Sequence, residues 1–230
     1  MPLETSAAWL ERVLGCRLPD PALLDEALTH RSFSSRNNER LEYLGDAVLT
    51  FLVAGMLYRE FPDASEGELS RFRSSLVSGE SLGAIALELG VGDHLRLGEG
   101  ELKSGGFRRA SILADALEAL VGAIYLGAGL DPTRTAVERL LGPRLAVLPA
   151  AADLKDPKTR LQEFLQADGL ALPRYEVLEV SGEPHDQRFR VRCSAEELGL
   201  SAEATGTSRR RAEQDAAEQL LALAAPGRRP

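Results

Sequence analysis

Apolar residues through positions 1–148 recur three and four apart, the period of helices that each turn one face to a core, and no segment there alternates as a half-buried strand does. Turn signals part these helices at Leu18-Pro19-Asp20-Pro21, Phe61-Pro62-Asp63, Gly90-Val91-Gly92-Asp93 and Ser104-Gly105-Gly106. Ser65-Glu66-Gly67-Glu68 reads as a capping box, followed by Leu69, Phe72, Leu76 and Val77 at helical spacing. From 149 the pattern changes. Residues 149–156 are small and polar, as a linker is. A helix over 158–167 is followed by three short strands over 175–181, 187–194 and 198–204. In the middle strand Phe189, Val191 and Cys193 alternate with Arg188, Arg190 and Arg192, one dry face and one wet. A last helix over 208–224 turns Ala212, Ala216, Ala217, Leu220 and Leu221 inward. The pattern predicts an α+β chain of two domains: all-α over 1–148, a linker over 149–156, α-β-β-β-α over 157–226, and a frayed tail over 227–230.

Composition adds bounds. The 230 residues are 44% apolar, enough for a sizeable core, but only 5% aromatic, so Leu, Ala and Val must fill it. No long uninterrupted apolar run is present, so no membrane span is expected, and Met1-Pro2-Leu3-Glu4 does not open a secretory signal. Cys16 and Cys193 show no metal-ligand spacing and read as reduced thiols of a cytoplasmic protein. The net charge of -8 argues against nucleic acid at first sight, but its distribution does not. Residues 1–155 carry -6, and residues 156–230 only -2 with a concentrated group of arginines.

The acidic excess is organised. Glu39, Glu42 and Asp46 stand three and then four apart, on one face of a helix whose opposite face carries Leu41, Leu44, Val48, Phe51 and Leu52. Asp115 and Glu118 repeat the spacing of three, with Leu117, Leu120, Val121 and Ile124 pointing away. Like charges so placed repel, and a cation among them removes that cost. With no His or Cys beside the carboxylates, the oxygen donors suit Mg²⁺, with Mn²⁺ as substitute, and not zinc.

At this point the chain resembles the bacterial ribonuclease III family. Residues 38–49, from Asn38-Glu39-Arg40-Leu41-Glu42-Tyr43-Leu44-Gly45-Asp46 onward, are similar to its signature, and Gly105-Gly106-Phe107-Arg108-Arg109-Ala110-Ser111 through Ala119 to its second acidic segment. Leu28-Thr29-His30-Arg31-Ser32 and Glu66-Gly67-Glu68-Leu69-Ser70 also match. The C-terminal part resembles a double-stranded-RNA-binding domain, in Lys158-Thr159-Arg160-Leu161-Gln162-Glu163, in residues 182–187, and in Gly206-Thr207-Ser208-Arg209-Arg210-Arg211. The resemblance spans about residues 5–224.

It implies a Mg²⁺-dependent endonuclease that works as a homodimer on double-stranded RNA, leaves 5′-phosphate and 3′-hydroxyl ends, and processes ribosomal RNA precursors and structured messenger RNAs. Glu42, Asp46, Asp115 and Glu118 match the family's catalytic metal ligands. Glu39 and Glu66 match carboxylates lining the cleft further out, although an acid at position 66 also suits a helix start. Tyr43 matches an aromatic that packs into the partner subunit. His30 reads as a hydrogen-bonding residue at the core's edge. Lys103, Arg108 and Arg109, around the Gly-rich loop, either touch RNA or are solvated. In the second domain, Gln162, Glu163 and His185 match minor-groove contacts, and Ser208, Arg209, Arg210 and Arg211 a phosphate contact at a helix start. Arg188, Arg190 and Arg192 read as a solvated sheet face. Two departures stand out: Asn38 where the family often has His, and Glu213 where many such RNA-binding domains have a basic residue.

Overall fold

In the computed structural model, residues 4–148, 156–183 and 187–224 are described, and the chain divides into two compact units, Met1–Ala151 and Ala152–Pro230. The expected linker, apart from Asp156, and the expected tail lie outside the described residues.

The first unit is helical: α1 (Ser6–Leu14), α2 (Pro21–Ala27), α3 (Glu39–Glu60), α4 (Glu66–Leu76), α5 (Gly79–Glu88), the short α6 (Glu99–Lys103), α7 (Ala110–Ala128) and α8 (Leu130–Leu145). The capping box at α4 forms as the sequence predicts: Glu68 N–H donates to Ser65 Oγ, and the Glu68 carboxylate accepts from Ser65 N–H at 2.8 Å. The core is built around α7, whose Leu113, Leu117, Leu120 and Ile124 are fully buried, with α3, α5 and α8 packed on it.

α3 and α7 cross at unusually close range. A Cβ placed on Gly45 would fall 1.8 Å from the carbonyl oxygen of Glu118, and one on Gly122 2.3 Å from that of Leu41. Glycine at both positions therefore lets the two backbones touch, and each glycine sits beside acidic residues.

One expectation needs correction here. The buried stripe of α3 is Leu41, Gly45, Leu49, Leu52, Val53, Met56 and Leu57, whereas Phe51 is 64% exposed and Leu44 and Val48 are half-buried. The stripe is rotated because the partner helix docks on Gly45. Glu42 and Asp46 then lie only about 60° and 100° around the helix from that glycine, bordering the buried seam instead of opposing it. Further, α3 and α7 are each long and apolar enough to cross a membrane by length and composition. Within this fold they form the central pair, with much of each buried in protein.

The second unit follows the predicted order: α9 (Pro157–Ala167), β1 (Arg174–Ser181), β2 (Arg188–Ala195), β3 (Leu200–Gly206) and α10 (Arg209–Ala224). The sheet is antiparallel in the order β1-β2-β3, with a bulge in β1 between Val177 and Glu179. β3 begins two residues later than expected. A 3₁₀ turn at Glu196–Leu198 ends on Gly199, whose φ of +63° only glycine adopts readily, and the strand starts after it. Leu161 and Leu165 of α9, Cys193 of β2 and Ala216, Ala217 and Leu220 of α10 close the core over one sheet face. The other face is the arginine row, paired across strands: Arg192 with Glu203 at 2.7 Å and Arg190 with Glu179 at 3.2 Å.

Candidate functional site

The acidic border of the α3–α7 crossing opens into a cleft of about 320 Å³ lined by His30, Arg31, Asn38, Glu39, Glu42, Glu101, Arg109, Ser111, Ile112 and Asp115. Carboxylate oxygens of Glu42, Asp115 and Glu118 lie within 4.8 Å of one another. Three acids at that separation could hold a divalent cation, and all three are only half-buried. Burial raises the pKa values of all three, and repulsion by neighbouring acids adds to it at Glu42 and Glu118. The Glu118 carboxyl is pushed up to about 7, by burial first and then by Asp46, Glu42 and Asp115. Glu42 is raised by burial, Asp115 and Glu39, against the pull of Arg31. Asp115 is raised by burial and drawn back by His30 and Arg31. A carboxyl poised near neutrality among other acids is what a site built for an additional positive charge shows.

The other acids are placed differently. Asp46 is exposed and lies outside the 4.8 Å set, but it is the charge that acts most on Glu118. Glu39 lines the cleft and pairs with Arg31 at 3.3 Å. Glu66 does not reach this cleft within one chain. It accepts from Ser70 Oγ at 2.8 Å and borders a separate depression with Tyr58, Leu69 and Arg73. His30 plays its edge role, with Nδ1 2.8 Å from Ser32 Oγ, and also faces the cleft. Asn38 is buried, and its backbone N–H donates to Thr29 O at 2.9 Å, tying the His30 loop to the start of α3. Tyr43 is 81% exposed.

In the second unit the start of α10 gathers charge. Arg209 pairs with Glu213 at 2.8 Å, Arg211 with Asp215 at 3.1 Å and Arg210 with Asp156 at 3.8 Å, while Arg211 N–H donates to Ser208 Oγ at 3.2 Å. Glu213 is buried between Arg209 and Lys158, and the Lys158 ammonium also lies 4.4 Å from the Tyr175 ring centroid. Those two cations hold the Glu213 carboxyl below the usual range against the effect of its burial. The departure at 213 thus fastens α10 to α9. Gln162 and Glu163 are exposed on α9, and His185 lies outside the described residues.

Comparison with known proteins follows the same division. A family model described as Ribonuclease-III-like matches residues 20–145, and one described as a double-stranded RNA binding motif matches 157–223. The chain belongs to the ribonuclease III family. The Ribonuclease 3 of Alkalilimnicola ehrlichii is 60% identical over 212 residues, covering 92% of this chain and 93% of the relative. That of Nitrosococcus oceani is 58% identical over 214 residues, with 92% of each covered. Among solved structures, the nuclease domain of ribonuclease III from Campylobacter jejuni is 43% identical at a TM-score of 0.58, covering 61% of this chain and 97% of that one. A second structure of that domain, 44% identical at the same TM-score and covering 60% of this chain and 98% of that one, is described as flexible in a region involved in dimer formation.

Read as a ribonuclease III, the chain shows cleft residues that helical spacing did not reveal. Arg31 and Glu101 come from the loop after α2 and from α6, far in sequence from the acidic helices. The signal available for Arg31 was its place in the matching Leu28–Ser32 segment, and for Glu101 there was none.

Proposed function

We propose that this chain is a Mg²⁺-dependent endoribonuclease that hydrolyses double-stranded RNA as a homodimer, leaving 5′-phosphate and 3′-hydroxyl ends. The observation that carries the reading is the convergence of Glu42, Asp115 and Glu118 within 4.8 Å, with Asp46 beside them. The donor set fits a hard divalent ion: oxygens only, from two helices locked by backbone contact. When bound, such an ion activates water at neutral pH and offsets charge on the phosphoryl oxygens.

The protein's own residues do the rest. Glu42 and Asp46 from α3, and Asp115 and Glu118 from α7, would hold the ion. Arg31 keeps Glu42 and Asp115 toward their charged forms, against burial. Glu118, poised near 7, would hold a cation in its ionised form and release its proton to solvent. Glu39 lines the cleft away from the reacting phosphate on this reading, and Glu66, which borders a separate depression of its own chain, would serve the duplex only from there. The second unit brings the duplex: Gln162, Glu163 and His185 toward the minor groove, Ser208 and Arg209 to Arg211 toward phosphates. The homodimer is supported by Tyr43, Phe51 and Tyr58, which share a side of α3 and are 81%, 64% and 74% exposed, and by the Campylobacter relative's region of dimer formation. Ribosomal RNA precursors and structured messenger RNAs in the cytoplasm are the substrates proposed from the family resemblance.

One assay tests the reading. A long RNA duplex is incubated with and without Mg²⁺, and wild type is compared with Glu118→Gln. Cutting is expected only with metal, with 5′-phosphate ends, and is expected to fall at least about 100-fold in the variant while duplex binding persists. Binding without cutting by the wild type would make the chain an RNA-binding protein alone.

A further inference from the structure

The acidic cleft must receive a polyanion, and a duplex backbone carries one negative charge per ~1.7 Å of its axis. Carboxylates repel it, and a metal ion compensates near the reacting phosphate only. Phosphates to either side need cations fixed at the cleft. Three basic side chains surround the Ser104–Gly106 loop, and the structure separates them. Lys103 is well exposed and pairs with Glu99 one turn away at 3.3 Å. The Arg108 guanidinium lies 5.0 Å from the Phe107 ring centroid. Arg109 lines the cleft together with Glu42 and Asp115.

Arg109 is held in place. Its Nη1 lies 2.8 Å from Glu101 Oε2, and its Nη2 donates to Ser104 Oγ at 3.2 Å. Glu101 is itself tucked beneath the loop: a Cβ on Gly106 would meet the Glu101 carbonyl oxygen at 2.9 Å and its carboxylate at 3.0 Å. The glycine leaves room for the acid, and the acid aims the guanidinium. The other cleft arginine, Arg31, stands against the carboxylates proposed to bind metal and is less firmly held. Arg31 pairs with Glu39 and acts on Glu42 and Asp115, so its charge serves the carboxylates. Arg109 remains 46% exposed, and a guanidinium has five donors in a planar fork that matches a phosphate.

We propose that Arg109 grips a phosphate of the RNA backbone flanking the cleavage point, and that Glu101 is the positioning residue that holds its guanidinium at the cleft. The proposal rests on the reading of the cleft as a duplex-RNA nuclease, and the test separates the two. Wild-type cutting of a long duplex with Mg²⁺ tests the reading. Arg109 is tested by binding of the same duplex at several salt concentrations in the non-cutting E118Q protein. Arg109→Ala is expected to lower the slope of log affinity against log salt by about 1, and Arg109→Lys to keep the slope while recovering part of the affinity. In the active protein, Arg109→Ala should raise KM about five- to tenfold and leave kcat within about threefold. Glu101→Gln should raise KM less, and adding it to Arg109→Ala should change nothing further. Thermal melting monitors folding, and Arg109→Lys, which keeps length and charge, carries the slope test should the alanine variant melt early. A wild-type salt slope and KM in Arg109→Ala overturns the proposal. Full additivity of the two substitutions overturns the role of Glu101.

Discussion

Glu118 is where burial and charge meet. Its carboxyl moves from an ordinary 4.5 to about 7, chiefly by burial and then by Asp46, Glu42 and Asp115. The sign follows from linkage. A carboxyl whose pKa is raised by folding favours the fold while protonated, and that contribution is lost as pH climbs from about 4.5 through 7. The metal-free protein should therefore lose stability over this window, whereas the cation needs the ionised form. Mg²⁺ affinity is expected to rise on the order of tenfold between pH 5.5 and 7.5, with about one proton released per binding event below pH 7. Titration calorimetry in two buffers of different ionisation heat reads the released proton directly. In Glu118→Gln the release should disappear. A proton count that stays the same in that variant would assign the titration to another group.

At the scale of elements, the site depends on how closely α3 and α7 approach. Gly45→Ala would put a methyl 1.8 Å from the Glu118 carbonyl oxygen, and backbone cannot yield as a flexible side chain does. The helices must part, at a cost of about 2 kcal/mol, and Glu42 and Glu118 part with them. Gly55→Ala on the same helix is the control, since its new methyl would meet only the end of Arg59 at 3.8 Å and should stabilise by about 0.5–1 kcal/mol. Melting with and without Mg²⁺ distinguishes the two: Gly45→Ala should melt lower and lose most of the Mg²⁺-dependent rise, and Gly55→Ala should keep it. This seam also marks how far the sequence could be read. Element order, the capping box and the face assignments of α7 and α10 were legible because each follows from local period and composition. The faces of α3 were not, because a glycine in an apolar stripe carries no signal of what will dock on it, and so Phe51 was assigned inward. Glu66 matched an acidic position of the resemblance, yet its place in a separate depression comes from the path of α4, a tertiary property. Arg31, Glu101 and Arg109 reach the cleft through loops and short helices, where no period exists to read.

For the molecule as a whole, charge and exposed apolar surface carry the argument. The first unit keeps the acidic excess, with carboxylates that could hold a cation, and the second a group of arginines, so a chain of net charge -8 is compatible with an RNA partner. The exposed aromatics of α3 then need a cover. Positions 43, 51 and 58 fall within about 80° of one another around the helix, and Tyr43, Phe51 and Tyr58 make an apolar strip that a lone protomer leaves in water. A second copy is the occupant the dimer reading supplies. Introducing Glu at positions 43 and 51 should cost the single chain little, because both side chains are mostly exposed in it. In a dimer the same change buries two charges per chain at the interface, which a small contact does not tolerate. Sedimentation should give twice the chain mass of 24.8 kDa for wild type at micromolar concentration, and the single-chain mass for Tyr43→Glu/Phe51→Glu with unchanged helical signal. Duplex cutting should be lost with the dimer, while the second unit still binds RNA. A wild type that sediments as a single chain while cutting duplex would show that one protomer's carboxylates suffice.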